Sequence, residues 1–143
     1  MGLIECASSK SIWRAIDYVE RDKTICWEQS GKCYDGFVEG SNGETYKVHV
    51  DTVHPKKSNC TCPFATDNKV ICKHMLAIYF SAVPKKLEEF YKLVEDEEEQ
   101  ERRWQEEHEK ELYRLARNYS KEELVRELVD AWLELEEYRH SRW

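Results

Sequence analysis

Polar and apolar positions change period several times along the chain. Ile12, Trp13, Ile16 and Val19 recur at helical spacing behind Ser8 and Ser9, either of which suits an N-cap, so a short helix is predicted over about residues 10–20. Thr24-Ile25-Cys26-Trp27-Glu28 and Lys32-Cys33-Tyr34-Asp35-Gly36-Phe37-Val38 then flank a turn at Gln29-Ser30-Gly31, which reads as a β-hairpin. A second turn, Gly40-Ser41-Asn42-Gly43, leads into Thr45–Asp51, where Tyr46, Val48 and Val50 share one face. The expected sheet is therefore small, three-stranded and antiparallel. Met75, Leu76, Ile78, Tyr79 and Phe80 form a short apolar helix suited to pack on it.

Beyond Pro84 the pattern is helical throughout. Pro84 fits a first helical turn, and Leu87, Phe90, Tyr91 and Val94 begin an apolar stripe. Trp104, His108, Leu112 and Leu115 resume it after the Glu95–Glu99 run, which reads as a solvated face. Unbroken to about Arg117, such a helix is roughly 50 Å long. Asn118-Tyr119 interrupts it, and Ser120-Lys121-Glu122-Glu123 is a capping box for a last helix bearing Leu124, Val125, Leu128, Val129, Trp132, Leu133 and Leu135. Neither helix hides its band alone, so a helical hairpin or coiled-coil-like region is expected. The fold class predicted is α+β for residues 1–83, followed by an acidic helical hairpin over 84–143.

Charge supports that division. Residues 1–83 hold ten Lys/Arg and ten Asp/Glu, whereas residues 84–143 hold twelve and nineteen and carry the whole net charge of −7. The acidic second half makes the whole protein a poor general binder of nucleic acid. No apolar run approaches ~20 residues, so no membrane partner is expected. The first residues, Met1-Gly2-Leu3-Ile4-Glu5-Cys6, lack the basic start and apolar stretch of a secretion signal and the Ser or Thr of a myristoylation site. A reducing, cytoplasmic location is the expectation, where clustered cysteines bind metal more often than they form disulfides.

Cys60-Thr61-Cys62 and Cys72-Lys73-His74, separated by nine residues, supply three thiolates and an imidazole, the ligand set of a closed tetrahedral Zn2+ site. Residues two apart in an extended chain point the same way, so Cys60 and Cys62 chelate together. Residues two apart on a helix diverge by about 200°. Cys72 is therefore expected just before a helix and His74 in its first turn. Merely buried thiols beside a surface histidine are the bland alternative, and four strong protein ligands disfavour a catalytic metal.

Cys60-Thr61-Cys62-Pro63 with Cys72-Lys73-His74-Met75-Leu76-Ala77 resembles the SWIM zinc finger, a CxC, variable-gap, CxH pattern. Trp13–Tyr18, Val38–Ser41 and Tyr46–Val48 extend the resemblance upstream, over roughly residues 1–80. It implies that Cys60, Cys62, Cys72 and His74 hold zinc. It also implies an accessory module binding nucleic acid or protein, since the family occurs in helicase-like ATPases, transposases and signalling proteins. The acidic helical half has no counterpart in that domain.

Lys56, Lys57, Lys69 and Lys73 surround the cysteines and read either as a phosphate-binding patch for DNA or RNA or as solubilising loop lysines. Trp27, Tyr34 and Phe37 read as core before base-stacking residues. Cys6, Cys26 and Cys33 read as ordinary thiols, His49 as solvated, His54 as a turn residue and His108 as helix packing. There is no phosphate loop, nucleophile elbow or dinucleotide fingerprint, so no enzyme activity is expected. Two functions remain: a nucleic-acid-binding adaptor whose helices engage a protein partner or form a homodimer, and a protein-interaction module whose zinc is purely structural.

Overall fold

The computed structural model describes residues 2–142. The chain divides into two compact units, Met1–Lys92 and Leu93–Trp143. The first nine residues of the long helix thus belong with the cysteine-bearing unit, beyond the composition change at Pro84.

The first unit opens with α1 (Ser9–Glu20), whose N-cap Ser8 accepts a hydrogen bond from the Ser11 backbone N–H. Strands β1 (Thr24–Ser30), β2 (Cys33–Glu39) and β3 (Thr45–Asp51) follow. A two-residue strand, β4 (Asn59–Cys60), pairs with β3 through Val48–Cys60 and His49–Asn59. The antiparallel sheet has four strands in the order β1-β2-β3-β4, not the three expected. Two residues show no alternation, so β4 is invisible to pattern reading. After it come α2 (Pro63–Asn68), α3 (Lys73–Ala82) and α4 (Pro84–Ala116).

The sheet's inner face, Tyr34, Val38, Tyr46, Val48 and Val50, is buried against α3, of which His74 through Phe80 are all buried. Ala15 and Ile16 of α1 close the core from the side, and Leu87, Phe90 and Tyr91 of α4 pack at its margin. Close approach of α3 to the sheet depends on Gly36. A Cβ there would lie 2.3 Å from the Cys26 carbonyl oxygen and 2.8 Å from Ile78 Cδ1. A continuously apolar α3 without a strong amphipathic face is what a central helix requires.

In the second unit, α5 (Lys121–His140) starts at the expected capping box: Ser120 Oγ accepts from the Glu123 N–H, and the Glu123 carboxylate accepts from the Ser120 N–H. The α4 stretch through the Glu95–Glu99 run is one continuous helix. The two helices follow one another as expected, but they do not bury their bands as a packed hairpin. Every large apolar residue from Trp104 to Tyr138 is at least 41% exposed. His108 accordingly stacks only on Trp104 of its own helix, with ring centres 4.9 Å apart.

Candidate metal centre

Four chain segments bring the metal-ligating side chains together. Strand β3 ends at Asp51, whose carboxylate accepts hydrogen bonds from the Val53 and His54 backbone N–H groups. Those bonds hold the Asp51 carboxyl below its ordinary pKa and turn the chain into a 3-10 turn over Pro55–Lys57. His54 is therefore a turn residue, as expected. Strand β4 then places Cys60 opposite Val48, with Cys62 beyond it at the N-cap of α2. Cys72 caps α3 in an extended conformation, with φ −91° and ψ 168°, and His74 occupies the first turn.

Cys60, Cys62, Cys72 and His74 are all buried, and their ligand atoms lie within 4.8 Å of one another. His74 Nδ1 is 3.7 Å from Cys60 Sγ and 3.8 Å from Cys72 Sγ. A tetrahedral zinc with Zn–S near 2.3 Å and Zn–N near 2.0 Å has ligand–ligand edges of roughly 3.5–3.8 Å. The donor set therefore fits Zn2+ in both chemistry and spacing. Backbone N–H groups support the sulfurs: Cys62 N–H points to Cys60 Sγ at 3.5 Å, and Ala65 N–H to Cys62 Sγ at 3.4 Å. Such outer-shell donors orient ligands and disperse thiolate charge.

The electrostatics also call for a cation. Burial pushes the Cys62 thiol upward. Cys60 is pushed up by its hydrogen bond to Cys72 and by burial. Cys72 is drawn down by the bond from Cys60, with help from His74 and the Met75 N–H. Burial disfavours charge on these thiols, and a dication held by Cys60, Cys62, Cys72 and His74 would compensate their thiolate charge. His74 Nε2 is buried without a hydrogen-bond partner, so the imidazole's Nδ1 is the nitrogen aimed at the thiols. Its ring packs 4.8 Å from Tyr46 and 5.5 Å from Tyr18, centre to centre.

The four expected lysines do not all line one depression. Lys56 and Lys69 line one depression together with Cys60 and Met75. Lys73 lines another, with Lys10 and Arg14 of α1. Its ammonium lies 4.7 Å from the centre of the Tyr18 ring. Lys57 ends the 3-10 turn next to Lys56. Sequence reading passed over Lys10 and Arg14 because they lie some fifty to sixty residues from the cysteines; only the docking of α1 beside α3 unites them. Their spacing of four, on one exposed helix face, was the available signal.

The remaining candidates are dispersed. Cys26 lies opposite Phe37 and Cys33 opposite Ser30, so the hairpin register separates them. Both are free, as is Cys6. His49 Nδ1 is 2.7 Å from Asp35 Oδ1 on the sheet's outer face. Tyr34 is core, whereas Trp27 and Phe37 are exposed and line neither lysine-bearing depression.

A closed Cys3His cluster on a strand, a short helix and a helix start defines a zinc-binding module. Residues 46–82 match the family model of the SWIM zinc finger, so the chain carries a SWIM finger running from β3 through α3. The match leaves α1, the β1-β2 hairpin and the whole of α4 and α5 outside it. No curated protein and no solved structure matches the chain. Among the described residues, no helix is long and apolar enough to cross a membrane.

Proposed function

We propose that this protein is a non-catalytic binding module, in which the zinc-built finger contacts DNA or RNA and the acidic helices engage a protein partner or a second copy. The observation that carries the nucleic-acid reading is a set of unneutralised cations around the finger. Lys10, Arg14, Lys56, Lys57, Lys69 and Lys73 are grouped around the finger and take part in no ion pair among the described residues. Free cations beside a rigid scaffold favour phosphate, because each contact releases a condensed counterion. Four protein ligands leave the metal no open position, which supports a structural ion and argues against metal catalysis.

The exposed bands of the second unit favour a partner surface there. They are too extensive for solitary surface residues, and seventeen Asp/Glu against nine Lys/Arg in residues 93–143 favour a basic partner. Binding of short oligonucleotides at low and moderate salt tests the first part. Zinc-loaded protein should bind with steep salt dependence, and changing Lys56, Lys57, Lys69 and Lys73 together to Glu should abolish it. Affinity surviving that change would overturn contact through these four lysines, and affinity absent from the unaltered protein would leave only the protein-interaction reading.

A further inference from the structure

The cavity between the first turns of α1 and α3 carries an unusual lining for a surface of this overall charge. It encloses about 220 Å³, and Lys10, Arg14 and Lys73 line it without any carboxylate. Cys62, Cys72 and His74 form part of its wall, so a zinc held by them would tie that wall together. Phe64 stands at the same cavity with 53% of its surface exposed. Single exposed apolar residues are ordinary. This one is held on α2, directly behind the Cys62-Pro63 anchor, and it shares a concave site with three cations. Lys73 is itself braced against the Tyr18 ring, which limits the entropy lost when it meets an anion.

A charged concavity of this size takes one phosphate group. An exposed aromatic ring beside a phosphate site serves a base whose face is free, and that base exists only in an unpaired strand. We propose that this cavity binds single-stranded nucleic acid, with a backbone phosphate among Lys10, Arg14 and Lys73 and the adjoining base stacked on Phe64. The inference rests on the nucleic-acid reading above and sharpens it. It moves the centre of recognition from the lysines flanking the cysteines to the side where α1 meets the finger. It also specifies the strand type.

The test uses the full zinc-loaded chain, with fluorescence anisotropy of a labelled oligothymidylate and of a duplex of equal length. The unaltered protein should favour the single strand. K10Q together with R14Q should weaken its binding about tenfold. The same pair should reduce the slope of log affinity against log salt by about 0.7, the amount due when one phosphate of a single strand is no longer neutralised. F64A should weaken binding about tenfold by removing the stacking platform, and F64W should restore it. Lys10, Arg14 and Phe64 are all exposed, and zinc content with circular dichroism confirms that each variant is folded. The F64W rescue distinguishes stacking from a structural role of Phe64. Binding by the unaltered chain that both variants retain at full strength and salt slope would overturn this site while sparing the broader reading. A preference for duplex would overturn the strand assignment. No binding of any oligonucleotide would overturn both.

Discussion

The two units of this chain solve the problem of burying apolar surface in opposite ways. In Met1–Lys92, sheet, α1 and α3 enclose a continuous core with the four metal-ligating residues inside it. In Leu93–Trp143, two helices with apolar residues at regular spacing leave their large apolar side chains in solvent. Both carry correct local signals: Ser8 caps α1 and Ser120 caps α5 with equal fidelity. Local signals suffice to start a helix, and tertiary burial decides whether it persists. The first unit encloses its own core and a cluster that could hold a metal; the second leaves its apolar bands exposed.

Removing zinc should give the largest separation between them. Structural zinc contributes apparent free energies of about 10–16 kcal/mol in small fingers, and three buried thiols with one imidazole have no other compensation. Chelation, or Cys72→Ser, should abolish the cooperative melt of residues 1–92. Near-ultraviolet circular dichroism from Tyr18, Tyr46 and Tyr79 should vanish with it. Acidification should produce the same loss, because the proton-favouring thiols Cys60 and Cys62 are deprotonated only in the metal-bound state, so affinity falls as pH falls. A melt unchanged after exhaustive chelation would show that the apolar core alone carries the fold.

A matched pair of truncations sharpens the contrast at the level of single side chains. Phe80 is 1% exposed in the centre of α3, and Phe80→Ala should cost the first unit about 3–5 kcal/mol. Leu128, of comparable apolar character on α5, is exposed, and Leu128→Ala should leave that melt within about 0.5 kcal/mol. If the second unit does associate, Leu128→Ala should instead alter the concentration dependence of helicity, read by circular dichroism across dilution. A destabilisation above about 2 kcal/mol in dilute Leu128→Ala protein would mean that α5 is buried in the isolated chain.

What the sequence made legible follows the same division. The metal ligands and the extended-then-helical placement of Cys72 and His74 were readable because chelation imposes short, rigid spacings. Strands β1 to β3 were readable because one face of each had to alternate. Strand β4 and α2 were not, since two and six residues are too short to display a period, and their conformation is dictated by the metal-ligating positions themselves. The basic cavity was invisible for a different reason: Lys10 and Arg14 join Lys73 only through packing of elements distant in sequence. The helices of the second unit were readable, but their hairpin packing was not realised, because an amphipathic pattern specifies a face to be covered and not what covers it.

The smallest effect is expected at the start of α5, and it bears directly on whether that unit stands alone. Ser120 and Glu123 satisfy two orphan N–H groups reciprocally, and the Ser120 N–H lowers the Glu123 carboxyl's pKa. Ser120→Ala should remove about 1 kcal/mol of helix stability. In the first unit such a loss would be absorbed by cooperative packing and would appear only as a shifted melt. In α5, with no buried residue to reinforce it, the same loss should appear at once as reduced far-ultraviolet helicity without any shift in the main transition. A partner that covers the band should restore the lost signal. If the substitution instead lowers the zinc module's melting temperature, the two units share one cooperative structure and the contrast between them fails.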